Sequence, residues 1–158
     1  MRHLTESVKL DPKNAWAFAN RGLMRVWKND HAGAIPDLAA AEAIQPNNPV
    51  MLRARALMAE QKGDYTAALE AYSKAQEADP TDEFSLLRRA GILMRLDKDD
   101  LAMKEIETIL RRNPRDTSAL AQRALLHANT ENWAAAEKDV ATVLAADPKN
   151  PEALVAKA

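Results

Sequence analysis

The sequence predicts an all-α array of stacked helical hairpins, and two observations carry that prediction. Pro12, Pro46, Pro80, Pro114 and Pro148 stand 34 residues apart with no insertion or deletion. A fixed period of this length is the mark of one supersecondary unit stacked repeatedly, a quasi-one-dimensional array rather than a closed globule. Side-chain size recurs in the same register. With each proline at position 32, position 4 is Phe18, Leu52, Leu86, Leu120 and Leu154, and position 8 is Gly22, Ala56, Ala90 and Ala124. Position 20 is Ala34, Ala68, Ala102 and Ala136; position 24 is Leu38, Tyr72, Ile106 and Val140; position 27 is Ala41, Ala75, Ile109 and Val143. Small residues let two helices approach closely, and large ones fill the gaps between them.

Each unit reads as helix A, tight turn, helix B and connector. Met1 falls at position 21, so residues 1–14 are expected to be helix B of a truncated repeat. Full repeats follow at 15–48, 49–82, 83–116 and 117–150, and 151–158 opens a further helix A, all within a single array over 1–158. In the 49–82 unit, helix A is expected over about Val50–Gln61 and the turn at Lys62-Gly63-Asp64, where glycine suits a left-handed backbone. Helix B then runs to about Glu77, and Ala78-Asp79-Pro80-Thr81-Asp82 breaks it. Pro36, at position 22, is expected in the first turn of a helix B, where its missing N–H matters little. Leu4, Val8 and Leu10 carry the helix-B pattern at one end, and Leu154 the helix-A pattern at the other. Solenoid ends normally wear a polar capping helix, and neither end shows one. The expectation is a segment of a longer array or multidomain protein, with a natural terminal half-repeat as the alternative. The two bare ends are complementary in kind, so head-to-tail self-association is a further expectation.

Gly63-Asp64-Tyr65, Ala68-Leu69, Tyr72, Ala75 and Pro80 are close to the helix-B pattern of the tetratricopeptide repeat, and the chain resembles that family over Ala15–Asn150. It departs from the pattern at position 8, where glycine survives only as Gly22, and at position 11, where Arg25, Ala59, Leu93 and His127 replace the usual tyrosine. Ile109 is also larger than usual at position 27. The resemblance implies a right-handed superhelical solenoid, with four full repeats plus a half-repeat at each end.

Composition narrows the function. The 22 basic and 23 acidic side chains nearly cancel, which argues against nucleic acid or an acidic membrane as partner, since both demand a basic surplus. No apolar run approaches a membrane span, so no membrane insertion is expected. Cysteine is absent, so there is no disulfide framework and no thiol chemistry. Cytoplasm and periplasm both remain compatible, the cytoplasm being the preferred expectation.

Position 7 is arginine in every repeat: Arg21, Arg55, Arg89 and Arg123. Position 23 is Asp37, Ala71, Glu105 and Asp139. These arginines form either an anion-binding ladder or a set of internal salt bridges. The second is expected, because a partly buried guanidinium needs such a partner. Arg55 faces Ala71, so Glu70 substitutes or Arg55 is free.

The resemblance places the inner, concave face on helix A at positions 2, 5, 6, 9, 12 and 13. From those positions the binding residues expected are Trp16, Asn20, Leu23, Trp27, Arg53, Leu57, Phe84, Arg88, Met94 and Arg95. An apolar groove with a few arginines suits an extended or helical peptide, including an acidic one, and tryptophan and arginine dominate interface energetics. Packing between neighbouring A helices is the competing reading, favoured for Val50, Leu57 and Leu125 and evenly weighed for Trp16 and Trp27. The carboxylate clamp of some relatives is absent, since positions 5 and 9 are Ala19 and Leu23, Arg53 and Leu57, and Leu87 and Gly91.

No catalytic set converges. His3 and His31 lie at the chain start and in a turn, and His127 is expected to be a buried structural residue at position 11. Asp97, Asp99 and Asp100 resemble the start of a calcium loop, but the sixth position is Ala102 and the twelfth Thr108, so they read as acids at a helix N-terminus. No catalytic residue, metal site or cofactor is expected. The function expected is a protein or peptide interaction module; the alternatives are a self-associating structural spacer and a regulatory appendage of a larger, enzymatic protein.

Overall fold

A computed structural model describes residues 1–157, which form ten helices and no strand. They are α1 Arg2–Leu10, α2 Ala15–Trp27, α3 His31–Ile44, α4 Pro49–Gln61, α5 Tyr65–Ala78, α6 Glu83–Arg95, α7 Asp99–Arg112, α8 Thr117–Asn129, α9 Trp133–Ala146 and α10 Pro151–Lys157. α2, α4, α6 and α8 have 13 residues each, and α3, α5, α7 and α9 have 14. The fold is an all-α helical repeat of the solenoid class. Two units divide it, Met1–Ser85 and Leu86–Ala158. No helix among the described residues is long and apolar enough to cross a membrane.

Helix starts follow the period. Asn14, Asn48, Asp82, Asp116 and Asn150 recur at position 34, and each accepts a hydrogen bond from the backbone N–H three residues on, at 2.8–3.3 Å. Such caps satisfy donors that a helix leaves unpaired. Asp30 and Asp64 cap α3 and α5 in the same way. Lys98 and Asn132 hold the equivalent places before α7 and α9 and make no side-chain cap.

The turns between helix A and helix B are equally regular. Asn29, Gly63, Asp97 and Glu131 all stand at position 15, and all adopt positive φ, at 60°, 79°, 55° and 60°. The following N–H reaches back to the carbonyl of Arg25, Ala59, Leu93 or His127, at 2.8–3.0 Å. This is the hydrogen bond of a left-handed helix stop, which favours glycine. Only one of the four turns carries it.

The size pattern found in the sequence is the core. Ala34, Ala68, Ala102 and Ala136 are buried, as are Leu38, Tyr72, Ile106 and Val140, and Ala41, Ala75, Ile109 and Val143. In the first unit, Leu23, Val26, Leu38, Met51 and Leu57 form one apolar cluster, with Phe18 and Leu52 packed against it. Gly22 sits where an added Cβ would lie 2.5 Å from Leu38 Cδ2, so any larger residue would force the buried Leu38 side chain to shift. Ala124, Val140 and Ala156 form a cluster in the second unit.

Three local expectations are corrected. Pro36 is the sixth residue of α3, beyond the first turn, so its missing N–H removes a bond that would otherwise reach residue 32. Leu10 is 82% exposed. It occupies position 30, where Ile44 is exposed too, so that position points outward. Leu154 is also exposed, although α10 buries Ala153 and Ala156.

Candidate functional site

The arginines at position 7 turn inward to carboxylates. Arg21 donates to Asp37 at 2.8 and 2.6 Å, and Arg123 donates to Asp139 at 2.7 and 2.8 Å. Arg89 pairs with Glu105 at 2.7 Å. Bonding to the carboxylates raises both the Arg21 and the Arg123 guanidinium above the ordinary range. Arg55 departs from both of its expected states. It makes two bonds to Glu42 on α3, at 2.7 and 2.6 Å, while Glu70 pairs with Lys74. A carboxylate on the preceding helix B does what Ala71 cannot, and Arg55 holds the Glu42 carboxyl below its usual range.

Position 11 contributes chemistry that was not legible in the sequence. Arg25 adds a third bond to Asp37 at 2.8 Å and donates to the Gly33 carbonyl at 2.6 Å. His127 is half-buried, not buried as expected.

In the first unit, Trp16 and Trp27 stand 59% and 56% exposed on α2. They are eleven residues apart, close to three turns, and so share one face of the helix. Asn20 lies between them and donates to the Trp16 carbonyl at 2.9 Å. Leu23 is corrected from the surface to the core, at 4% exposure, and Leu57, for which packing is the favoured reading, is buried too, at 5%. They join Val26 and Met51 in the apolar cluster of the first unit.

Arg53 is not a free cation. Its guanidinium lies 3.3 Å from Asp82 Oδ1 and 5.4 Å from the centroid of the Phe84 ring. Phe84 also meets Tyr72 edge-on, with centroids 6.3 Å apart. Asp82 thus holds Arg53 while capping α6 through Ser85. The cap residue was the missing signal: an Asx at position 34 is visible in the sequence, but its second role depends on three-dimensional proximity.

In the second unit, the structure brings Met94 and Arg95 together with Gly91, Gln122, Leu125, Asn129 and Glu152 around a pocket of about 370 Å³. Arg88 lies close enough to act on Glu152. Burial pushes that carboxyl up, and Arg88 pulls it down. Arg95 is exposed and makes no hydrogen bond or ion pair among the described residues.

A larger space of about 440 Å³ was not foreseen. It lies between α9 and α10, walled by Trp133, Val140, Leu144 and Ala156. In the first unit, His31 stands where Trp133 stands here, and Gln61 at the end of α4 covers it at 2.7 Å. Trp133 stands 59% exposed.

Comparison with known proteins agrees with this architecture. Two family models described as tetratricopeptide repeat match residues 28–83 and 59–126, together more than half of the chain. PilF of Pseudomonas aeruginosa is 17% identical, with a TM-score of 0.81 over 97% of this chain and 70% of that one. YrrB, described as a TPR protein with an unusual peptide-binding site, is 19% identical, with a TM-score of 0.75 over 97% of this chain and 79% of its own. The first TPR of Spaghetti (RPAP3), bound to the HSP90 peptide SRMEEVD, is 26% identical, with a TM-score of 0.63 over 68% of this chain and 85% of its own. No curated protein matches the chain. The repeated caps, the left-handed turns, the size code and the matched family models converge: the chain belongs to the tetratricopeptide repeat family.

Proposed function

We propose that this chain is a non-catalytic binding module that docks a peptide or partner helix on the concave face formed by its A helices. The observation that carries the reading is the pair of tryptophans on α2. Trp16 and Trp27 expose more than half their surface on one helix face, and leaving such large aromatic groups wet is unfavourable unless a partner covers them. Asn20 between them offers a carboxamide to a bound backbone. Two neighbours of the same fold are described by the peptide they hold or by a peptide-binding site, which supports the class of partner. In the second unit, Arg95 on α6 is exposed with no partner among the described residues, and it favours an acidic side chain.

The test is selection of binding peptides from a displayed random pool on the unmodified protein, then titration against Trp16→Ala/Trp27→Ala. Binding should weaken at least about tenfold, the range expected of interface tryptophans, with helical circular dichroism unchanged. Equal affinity for the unmodified and doubly substituted proteins would end the reading.

A second reading, self-association, draws on Leu154 and Val155, both exposed on α10. Sedimentation at increasing concentration separates the two: a constant monomer mass removes it.

A further inference from the structure

We infer that the pocket at Gly91 recognises an internal acidic residue with a large apolar neighbour in a bound peptide; this rests on the peptide-docking reading and deepens it.

Position 9 is leucine in the other three full repeats: Leu23, Leu57 and Leu125. At Gly91 the side chain is missing, and nothing in the backbone asks for that. Gly91 lies inside α6, and its φ is not positive. A Cβ built there would meet only Gln122 Nε2, at 3.9 Å, which is open space for a side chain. Glycine inside a helix is destabilising relative to alanine, and here no close helix approach offsets it, in contrast to Gly22. What the absent side chain leaves is a notch in a pocket of about 370 Å³ whose apolar lining is Met94 and Leu125.

The rim sets the polarity of the guest. Arg88 is opposed by Glu152, while Arg95 has no partner among the described residues. Among these three side chains one positive charge is left over, so one carboxylate completes the balance. Gln122 adds unmet hydrogen-bonding capacity: its Oε1 is enclosed without a donor, and its Nε2 faces the notch. A peptide carbonyl beside the notch can accept a hydrogen bond from that Nε2. The guest's apolar side chain then fills the space where the other repeats hold leucine, and its acidic neighbour meets Arg95.

The probe is an acetylated, amidated octapeptide with a Phe-Glu centre in a Ser/Ala frame, compared with Phe-Lys and Ala-Glu versions by fluorescence anisotropy. The Phe-Glu peptide should bind at least about tenfold tighter than either control. Gly91→Leu restores the residue of the other repeats, so its melting temperature should hold or rise while binding falls about tenfold. Arg95→Glu, an exposed substitution with no internal partner to lose, should reverse the preference toward Phe-Lys. Equal binding of all three probes, full binding by Gly91→Leu, or an unchanged preference in Arg95→Glu overturns the inference. If the Phe-Glu probe fails while pool-selected peptides still depend on Trp16 and Trp27, the notch falls and the docking reading stands. If no peptide binds the unmodified protein at all, both fall.

Discussion

Asp37 on α3 receives two hydrogen bonds from the Arg21 guanidinium on α2, at 2.8 and 2.6 Å. Arg25 supplies a third at 2.8 Å, and the carboxylate is almost wholly buried. Removing it leaves two partly buried guanidiniums uncompensated. Asp37→Ala should therefore lower stability by about 3–5 kcal/mol, the range for breaking a buried ion pair. Asp139→Ala should cost less, because Arg123 is the one arginine shown bonded to it among the described residues and position 11 is His127 there. The double substitution Arg21→Met/Asp37→Leu should recover only part of the loss, because Arg25 still loses its carboxylate. Urea denaturation of the four proteins checks the order.

The left-handed turns make a second prediction. Glu131 holds φ at 60° without the freedom of glycine, a conformation that disfavours an L side chain by roughly 1–2 kcal/mol. Glu131→Gly should raise the unfolding free energy by about 1 kcal/mol, the lower part of that range. Gly63→Ala should lower it by a similar amount, and Asn29→Gly should change it least, since asparagine tolerates this region. Thermal melts of the three variants test the ranking.

These turns also show how far the sequence could be read. The proline period and the size columns exposed the hairpins, because burial at 3.6-residue spacing leaves a trace in side-chain volume. Gly63 announced its own turn. Asn29, Asp97 and Glu131 did not, because the stop geometry is enforced by helix packing and not by the residue. The inward arginines at positions 21, 89 and 123 were legible from the acid opposite. Arg55 was not, since Glu42 reaches it from the preceding hairpin. Leu23 read as a groove residue because a face assigned by register ignores how deeply a helix sinks into its neighbours. The notch was legible only as a glycine in a column of leucines, and the pocket's other walls required the fold.

Lys98 precedes α7 without a side-chain cap. Lys98→Ser should supply the oxygen that Asp30 and Asp64 supply elsewhere and add about 1 kcal/mol. Serine suits the site better than aspartate, because Asp97, Asp99 and Asp100 surround it. An unchanged denaturation midpoint would show that α7 starts without needing this bond.

Glu105 makes a prediction about pH. Burial pushes its carboxyl above the ordinary range, and Arg89 opposes this only in part. In the folded state it therefore holds its proton to higher pH than in the unfolded chain, whose glutamate titrates near about 4.3. Its contribution to stability is present below that value and is lost as pH rises through the folded one. Relative to the unmodified protein, Glu105→Gln should thus gain stability as pH moves upward from that region. Denaturation curves at successive pH values read the slope; a relative loss with rising pH would contradict the assignment.

The docking of a peptide on the A helices is tested most directly by a nitrogen–proton correlation titration with a pool-selected peptide. The account predicts shifts at the indole N–H of Trp16 and Trp27 and at the Asn20 carboxamide, with exposed helix-B residues such as Glu70, Lys74 and Thr142 unmoved. Shifts confined to the B helices, or to Trp133 beside α10 with α2 unchanged, would contradict it.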